Sequence, residues 1–212
     1  PRVGLPVHVE NDVKAAALGA AALEQPGTSL AFLNLGTGVA AGIVLDGALW
    51  RGAGGSAGEV GHISIDPEGP LCRCGGRGCI EALAGGAAIA DRWGRPAALP
   101  VRDVFDAADA GDALATAIRR DLARAVAAAV RILVLTADVE RVVLGGGLTA
   151  LADRMLPEVR AELERSVAAS PFLRSLGLAD RMRVLPTGSP AAAVGAAIVG
   201  GTAIEQEVSA RG

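Results

Sequence analysis

The sequence predicts an α/β fold in which an antiparallel meander of three strands is followed by alternating helices and strands. Apolar runs at residues 29–35 and 39–45 have the length of strands, and the intervening Gly36-Thr37-Gly38 indicates a hairpin. Asp46-Gly47 is a two-residue turn that leads into a third strand at residues 48–51. Together these features predict the meander, and the periodicity of the second half of the chain predicts the alternation.

The elements on either side of the meander are predicted from local signals. Residues 7–10 form a short apolar run that predicts a strand, and Asn11 or Asp12 then provides an N-cap for a helix over residues 13–23. The glycine-rich segment at residues 52–80 indicates a functional loop. Within it a strand is predicted around residues 62–65, and the Pro, Gly and Asp clusters of residues 94–113 indicate a short helix within a loop.

The C-terminal half alternates helices with buried strands. Helical spacing begins at Ile118 and continues through Leu122, Val126, Val130, Leu133 and Val134. A buried strand at residues 142–144 is followed by a glycine turn and by a helix that begins near Thr149 and has an apolar face from Met155 to Val167. A strand at residues 183–185 and a helix of small residues at 191–203 complete the chain. This order is that of a ribonuclease-H-like, actin-like ATPase lobe, whose ligands bind in a cleft between two lobes.

Composition excludes several classes of function. The chain has 212 residues, 29 glycines and a net charge of −3, so it offers no basic surface for nucleic acid. Because no stretch of 18 apolar residues is free of charge and no signal sequence is present, we expect no membrane span and a cytoplasmic protein. The first residue is Pro1 rather than Met, and we expect the chain to be cut from a longer protein.

A cluster of metal-ligating residues lies in the glycine-rich loop. Cys72, Cys74 and Cys79 are the only cysteines of the chain, and His62 lies ten residues upstream of the first. Three thiolates and one imidazole complete a tetrahedral zinc set, and because all four ligands come from the protein the zinc would be structural. The alternative is a disulfide with one free cysteine. We favour zinc because a cytosolic chain rarely keeps disulfides.

Carboxylates near this loop are candidates for binding a sugar. Glu59, His62 and Glu81 bracket the metal cluster, and such side chains commonly accept hydrogen bonds from vicinal hydroxyls. Asp12 follows a predicted strand and is a candidate general base for a sugar hydroxyl. The alternatives are that Asn11-Asp12 is a plain helix cap and that the glutamates are ordinary surface residues.

Two glycine turns are candidates for binding phosphate. The turns consist of Gly36, Thr37 and Gly38, and of Gly145, Gly146 and Gly147. Turns of this kind allow backbone N–H groups to approach phosphate, although glycines also form turns without any ligand. Two such turns in this order of elements suggest a nucleotide cleft.

Five motifs together resemble the ROK family of repressors, open reading frames and sugar kinases, and their order and spacing match over nearly the whole chain. The motifs are Val9-Glu10-Asn11-Asp12, Leu35-Gly36-Thr37-Gly38-Val39, Gly58-Glu59-Val60-Gly61-His62, the segment from Cys72 to Glu81, and Val143-Leu144-Gly145-Gly146-Gly147. The resemblance implies zinc on His62, Cys72, Cys74 and Cys79. It also implies that Asn11, Asp12, Glu59, His62 and Glu81 face the sugar, with Asp12 as base in kinases, and that the two glycine turns border ATP where ATP is bound.

The chain departs from the family pattern at its beginning. The Asp-x-Gly-Gly-Thr phosphate loop of the family's kinases and the winged helix-turn-helix of its repressors are both absent, and Lys14 and Ala20 stand where kinases typically have Asn and Glu. We therefore expect residues 1–212 to be a C-terminal lobe, with residues 1–28 bordering an N-terminal lobe that is not part of the chain.

Two functions are compatible with this resemblance. We favour the sugar-binding effector domain of a transcriptional repressor, whose ligand is a hexose or an N-acetylhexosamine and which contacts DNA only through the N-terminal domain that this chain lacks. The alternative is an ATP-dependent hexose kinase that uses magnesium, with Asp12 as base. Either would be a homodimer or homotetramer. A third possibility is a zinc-stabilised fragment without activity.

Overall fold

The computed structural model describes residues 7–24, 27–186 and 188–211, and the side chains up to residue 201. Within these ranges a mixed sheet of five strands has the order β3-β2-β1-β4-β5. The strands are β1 Leu30–Leu35, β2 Val39–Leu45, β3 Ala48–Trp50, β4 Arg141–Gly145 and β5 Met182–Val184. β1, β2 and β3 pair antiparallel, whereas β4 pairs parallel with both β1 and β5. The predicted α/β fold, with its meander followed by parallel strands, is confirmed.

Helices cover both faces of the sheet. They are α1 Asp12–Leu23, α2 Ile80–Ala84, α3 Gly86–Trp93, α4 Pro100–Asp109, α5 Ala113–Ala137, α6 Ala152–Val167, α7 Pro171–Ser175 and α8 Ala191–Arg211. The last helix extends beyond the predicted end at residue 203 because no glycine or proline follows Gly201 before residue 212. None of the described helices is long and apolar enough to cross a membrane.

The alternation of side chains along the strands builds two cores. Leu30 and Phe32 of β1 point to the face covered by α1 and α8, together with Val143 of β4. Leu33 of β1 and Leu144 of β4 point to the opposite face, which packs against the long helix α5 and against α2 and α6. Because the central strands are buried on both faces, their sequences are nearly continuous apolar runs.

Glycines allow α1 to pack unusually close to its neighbours. A Cβ on Gly19 would lie 1.7 Å from the carbonyl oxygen of Ala191 in α8, and one on Gly195 of α8 would lie 1.7 Å from that of Ala15. A Cβ on Gly42 of β2 would lie 2.5 Å from the Ala17 Cβ. These contacts fix α1 against both α8 and β2, and thereby fix the position of its N-terminus.

Three predictions of secondary structure are wrong. Residues 7–10 form no strand, and Val9 is 93% exposed. The segment at residues 62–65 also forms no regular strand. A 3-10 turn at Val60–His62 overlaps its beginning, and Ser64 forms one isolated bridge with Cys79. Helix α6 begins at Ala152 rather than near Thr149, because a 3-10 turn at Gly147–Leu151 precedes it.

The turn before His62 has a steric cause. Gly58 has a φ of 93°, and a Cβ there would lie 1.9 Å from the carbonyl oxygen of Ala41. A Cβ on Gly61 would lie 1.9 Å from that of Val39. The chain therefore folds tightly against the beginning of β2, which β3 does not pair with, and a 3-10 turn forms where the sequence pattern predicts an extended strand.

Candidate functional site

Both glycine turns lie at one edge of the sheet. Since β1 and β4 are parallel neighbours, the turn of residues 36–38 and the turn of residues 145–147 follow strand ends on the same side. Gly146 has a φ of 91°, and a Cβ there would lie 2.5 Å from the carbonyl oxygen of Leu35. Gly146 of the second turn therefore contacts Leu35, the last residue of β1 before the first turn, and both turns lie at the carboxyl ends of the strands, where open α/β sheets bind ligands.

The first turn is fixed from behind by helix α3. The backbone N–H of Gly86 donates to the carbonyl oxygen of Gly36 at 2.9 Å, and that of Ala87 donates to Thr37 at 3.0 Å. Both donors belong to the first turn of α3, whose N–H groups have no partner within the helix. The carbonyl oxygens of Gly36 and Thr37 are thus directed towards α3, whereas that of Gly38 accepts from Gly36 N–H.

The second turn opens into a cavity of about 240 Å³. Among the described residues, none has an atom within 4 Å of a Cβ placed on Gly147, so the backbone there is open to a ligand on that side. The opposite wall contains Leu185, Pro186 and Ser189, which follow β5. The sequence analysis did not assign these residues, although the run of Pro, Gly and Ser after a predicted strand was a signal for a loop at this edge.

Asn11 and Asp12 lie exposed at the N-terminus of α1. Asn11 is the N-cap, as predicted: its Oδ1 accepts hydrogen bonds from the N–H groups of Val13 and Lys14 at 3.0 and 3.1 Å. Asp12 Oδ1 accepts from Val13 N–H at 2.8 Å. Capping therefore uses the Asn11 oxygen and leaves its amide group as a donor, and among the described residues none donates to the second carboxylate oxygen of Asp12.

Glu81 and Glu59 both lie near the beginning of β2. Glu81 Oε2 accepts a hydrogen bond from Val39 N–H at 3.0 Å, and a Cβ on Gly38 would lie 2.4 Å from the same oxygen. Glu59 is exposed and follows Gly58, whose carbonyl oxygen accepts from Ala41 N–H at 2.7 Å. Glu81 thus connects the segment that contains the three cysteines to the first glycine turn. The Thr37–Gly38 backbone, Glu81, Cys72 and α3 enclose a further cavity of about 230 Å³.

The cysteines and His62 form one cluster. Cys72 Sγ lies 3.8 Å from His62 Nδ1, and Cys74 Sγ lies 3.7 Å from Cys79 Sγ. The ligand atoms of His62, Cys72 and Cys74 lie within 4.8 Å of one another. Sulfur and nitrogen ligands at about 2.3 and 2.0 Å from a tetrahedral zinc are separated by about 3.6–3.8 Å. His62, Cys72 and Cys74 are therefore placed so that they could hold zinc, and Cys79 joins them through its contact with Cys74, whose sulfur separation is too long for a disulfide.

The environment of the thiols separates their pKa values. A hydrogen bond from the Gly76 backbone, assisted by the neighbouring thiols, lowers the pKa of Cys74 to about 7. Burial, reinforced by the other two thiols, raises the pKa of Cys79 to about 12. Because zinc binds thiolates, metal binding would release the proton that Cys79 otherwise holds.

Two contacts of charged side chains support the N-terminus of α1, and neither was predicted from the sequence. Arg51 donates to Glu10 Oε2 at 2.7 Å. Burial raises the pKa of Glu10, but the hydrogen bonds from Asn11 N–H and Arg51 outweigh it, so the pKa lies below its ordinary value. Lys14 Nζ donates to the carbonyl oxygen of Gly55. Both contacts join positions 41 residues apart, and no local pattern indicates them.

Comparison with known proteins identifies the family. Residues 1–201 match the ROK family. An N-acetylmannosamine kinase of Citrobacter koseri is 40% identical over 167 residues, which are 78% of this chain and 57% of that protein. The chain therefore spans little more than half the length of this curated relative.

Two solved structures are similar to this one. A ROK family glucokinase from Streptomyces griseus, in complex with glucose and AMPPNP, has a TM-score of 0.73 and 30% identity, over 93% of this chain and 69% of that chain. A ROK family transcriptional regulator, a homologue of the E. coli MLC protein, has a TM-score of 0.64 and 29% identity, over 96% of this chain and 55% of that chain. With the motifs and the fold described above, these similarities establish that the chain belongs to the ROK family.

Proposed function

We propose that this chain is the sugar-binding lobe of an ATP-dependent kinase that phosphorylates a hexose or an N-acetylhexosamine. The observation that carries the proposal is the juxtaposition, at one edge of the sheet, of the carboxylates beside β2 and two glycine turns that follow the parallel neighbours β1 and β4. The 40% identity to an N-acetylmannosamine kinase supports it. The repressor interpretation, which the sequence alone favoured, is supported only by the likeness to a ROK family transcriptional regulator and has no more specific support.

Asp12 is the proposed general base. Its carboxylate is exposed, and with Oδ1 occupied by Val13 N–H the other oxygen is open to a sugar hydroxyl. A base needs only hydrogen-bond reach to the proton that it removes, and removal turns the hydroxyl into a nucleophile for phosphorus. The free amide group of Asn11 donates to the same sugar and limits its rotation.

The remaining sugar contacts come from Glu59, Glu81 and His62. Glu81 keeps Oε1 open while Oε2 holds Val39 N–H, so its position is fixed before the sugar binds. His62 directs Nδ1 towards the cysteines, which leaves Nε2 to face a hydroxyl. Acceptors that are already positioned lose little freedom on binding, and a hydrogen bond to a charged group contributes about 1.5–3 kcal/mol.

The metal and nucleotide have separate roles in this proposal. His62, Cys72, Cys74 and Cys79 would hold a structural zinc with no open coordination position, which stabilises the loop between Glu59 and Glu81. ATP would supply the phosphoryl group, and magnesium would neutralise its charge. Residues 36–38 and 145–147 would contact the phosphates through backbone N–H groups.

The extent of the domain and its partners also belong to this proposal. Residues 1–212 would form the C-terminal lobe, with residues 1–28 next to the N-terminal lobe that completes the cleft. The homodimer or homotetramer remains a prediction, as does contact with DNA through a preceding domain.

The test is a coupled ADP-release assay on the full-length gene product, across a panel of hexoses and N-acetylhexosamines. We expect sugar-dependent turnover that Asp12→Asn lowers at least about a hundredfold, within the range contributed by a positioned base. Asp46→Asn is the matched control: it makes the same chemical change in the exposed β2–β3 turn and should retain full activity. Sugar-dependent loss of DNA binding without turnover would instead support the repressor interpretation.

A further inference from the structure

Lys14 is a buried cation next to the proposed base. It is the only lysine of the chain, it is 7% exposed, and among the described side chains no other charged residue is buried as deeply. It lies in the first turn of α1, where the helix dipole disfavours a positive charge. Lysines at helix surfaces normally extend the ammonium group into water. The burial of Lys14 therefore requires a specific contact.

That contact is with the middle of a glycine-rich loop. Lys14 Nζ donates to the carbonyl oxygen of Gly55, in the loop of residues 52–58. Gly55 and Gly58 have φ values of 80° and 93°, so the loop has little stiffness of its own. Its C-terminal end is held where Ala41 N–H donates to Gly58. Among the described residues, Lys14 provides the only side-chain hydrogen bond that reaches residues 52–58.

The loop and the helix carry opposite halves of the proposed sugar site. Asp12 precedes Lys14 by two residues on the rigid helix, and Glu59 immediately follows the loop. From these contacts we infer that Lys14 is a positioning residue, which holds the loop of residues 52–58 against α1 so that Glu59 and Asp12 engage the same sugar. The inference rests on the proposed sugar-kinase function and adds a determinant of sugar affinity to it.

The test compares Lys14→Met with Lys14→Arg in the full-length protein. Methionine keeps most of the length of the side chain and removes the donor. We therefore expect amide hydrogen exchange at Ala57 and Glu59, whose N–H groups donate to the carbonyl oxygens of Arg51 and Ser56, to become about tenfold faster, the loss that corresponds to one hydrogen bond from a charged group. The KM for the sugar should rise about tenfold, while the KM for ATP changes less than about twofold. Arginine restores a donor and should recover most of both effects.

Arg51→Met is the matched control. It removes a cation from the exposed base of the same loop without touching the contact between Lys14 and Gly55, and it should leave exchange at Ala57 and Glu59 unchanged. Unchanged exchange in Lys14→Met would overturn the inference, as would an equal rise of both KM values. Absence of sugar turnover in the wild type would contradict the proposed function alone, because the exchange measurement does not depend on activity.

Discussion

The contact between α1 and α8 leads to a quantitative prediction about glycine. In Gly19→Ala the new Cβ would lie 1.7 Å from the Ala191 carbonyl oxygen, whereas a close carbon–oxygen contact needs about 3.3 Å. The helices must therefore separate by about 1.6 Å, which loosens the small core between α1, α8 and the sheet. Such overpacking costs about 3 kcal/mol, and alanine returns about 1 kcal/mol through its higher helix propensity. We expect a net loss of about 2 kcal/mol in the free energy of unfolding.

Urea denaturation monitored by circular dichroism measures this loss. Gly200→Ala is the matched control, because Gly200 is exposed in α8 and a methyl group added there would have no atom of a described side chain or of another element within 4 Å. There the same substitution should stabilise the chain by about 0.5–1 kcal/mol through helix propensity alone. The two alanine variants thus move stability in opposite directions. A Gly19→Ala protein as stable as the wild type would refute the close approach of the two helices.

Two further predictions concern the metal loop and the acid stability of α5. In protein purified without chelator, Cys74→Ser should lower the zinc content measured by elemental analysis from one per chain to near zero. Arg73→Gln changes only an exposed ion pair and should keep the zinc. Wild-type protein without zinc would contradict this prediction. Hydrogen bonds from Ala115 N–H and Arg95 hold the pKa of Asp112 below its ordinary value. The ionised carboxylate therefore stabilises the fold above about pH 4, and this stabilisation is lost as the pH falls through the lowered pKa. Asp112→Asn keeps an oxygen that can accept the N-cap hydrogen bond but removes the charge. In urea titrations its free energy of unfolding should be lower than that of the wild type at neutral pH, and the difference should shrink below about pH 4. A difference that does not change with pH would refute the lowered pKa of Asp112.

Local sequence patterns predicted the elements whose cause is local. The capping role of Asn11, the hairpin at residues 36–38 and the strand at residues 142–144 follow from neighbouring residues, and the structure contains all three. The spacing of the cysteines likewise indicated that they would meet. These features depend on turn chemistry and side-chain alternation, which a short window of sequence contains.

Features that depend on distant parts of the chain were not predicted. The extended run after Gly61 looks like a strand, yet the close approach to β2 turns it into a 3-10 helix. The burial of Lys14 depends on Gly55, and the sequence alone presented this lysine only as a departure from the family pattern. Helix α3 was missed because its first residue is a glycine, and its N-terminus is stabilised by the carbonyl oxygen of Gly36, fifty residues earlier.

The position of Glu81 has a thermodynamic consequence. This one carboxylate follows the last cysteine of the loop by two residues, accepts a hydrogen bond from Val39 N–H and contacts Gly38 of the first glycine turn. A ligand that orders the loop of the cysteines therefore also orders the beginning of β2 and the first glycine turn. Under the proposed function, the binding of metal, sugar or nucleotide would each require the same ordering of the loop and the turn. The first ligand to bind would therefore raise the affinity for the others, and by linkage the effect is reciprocal.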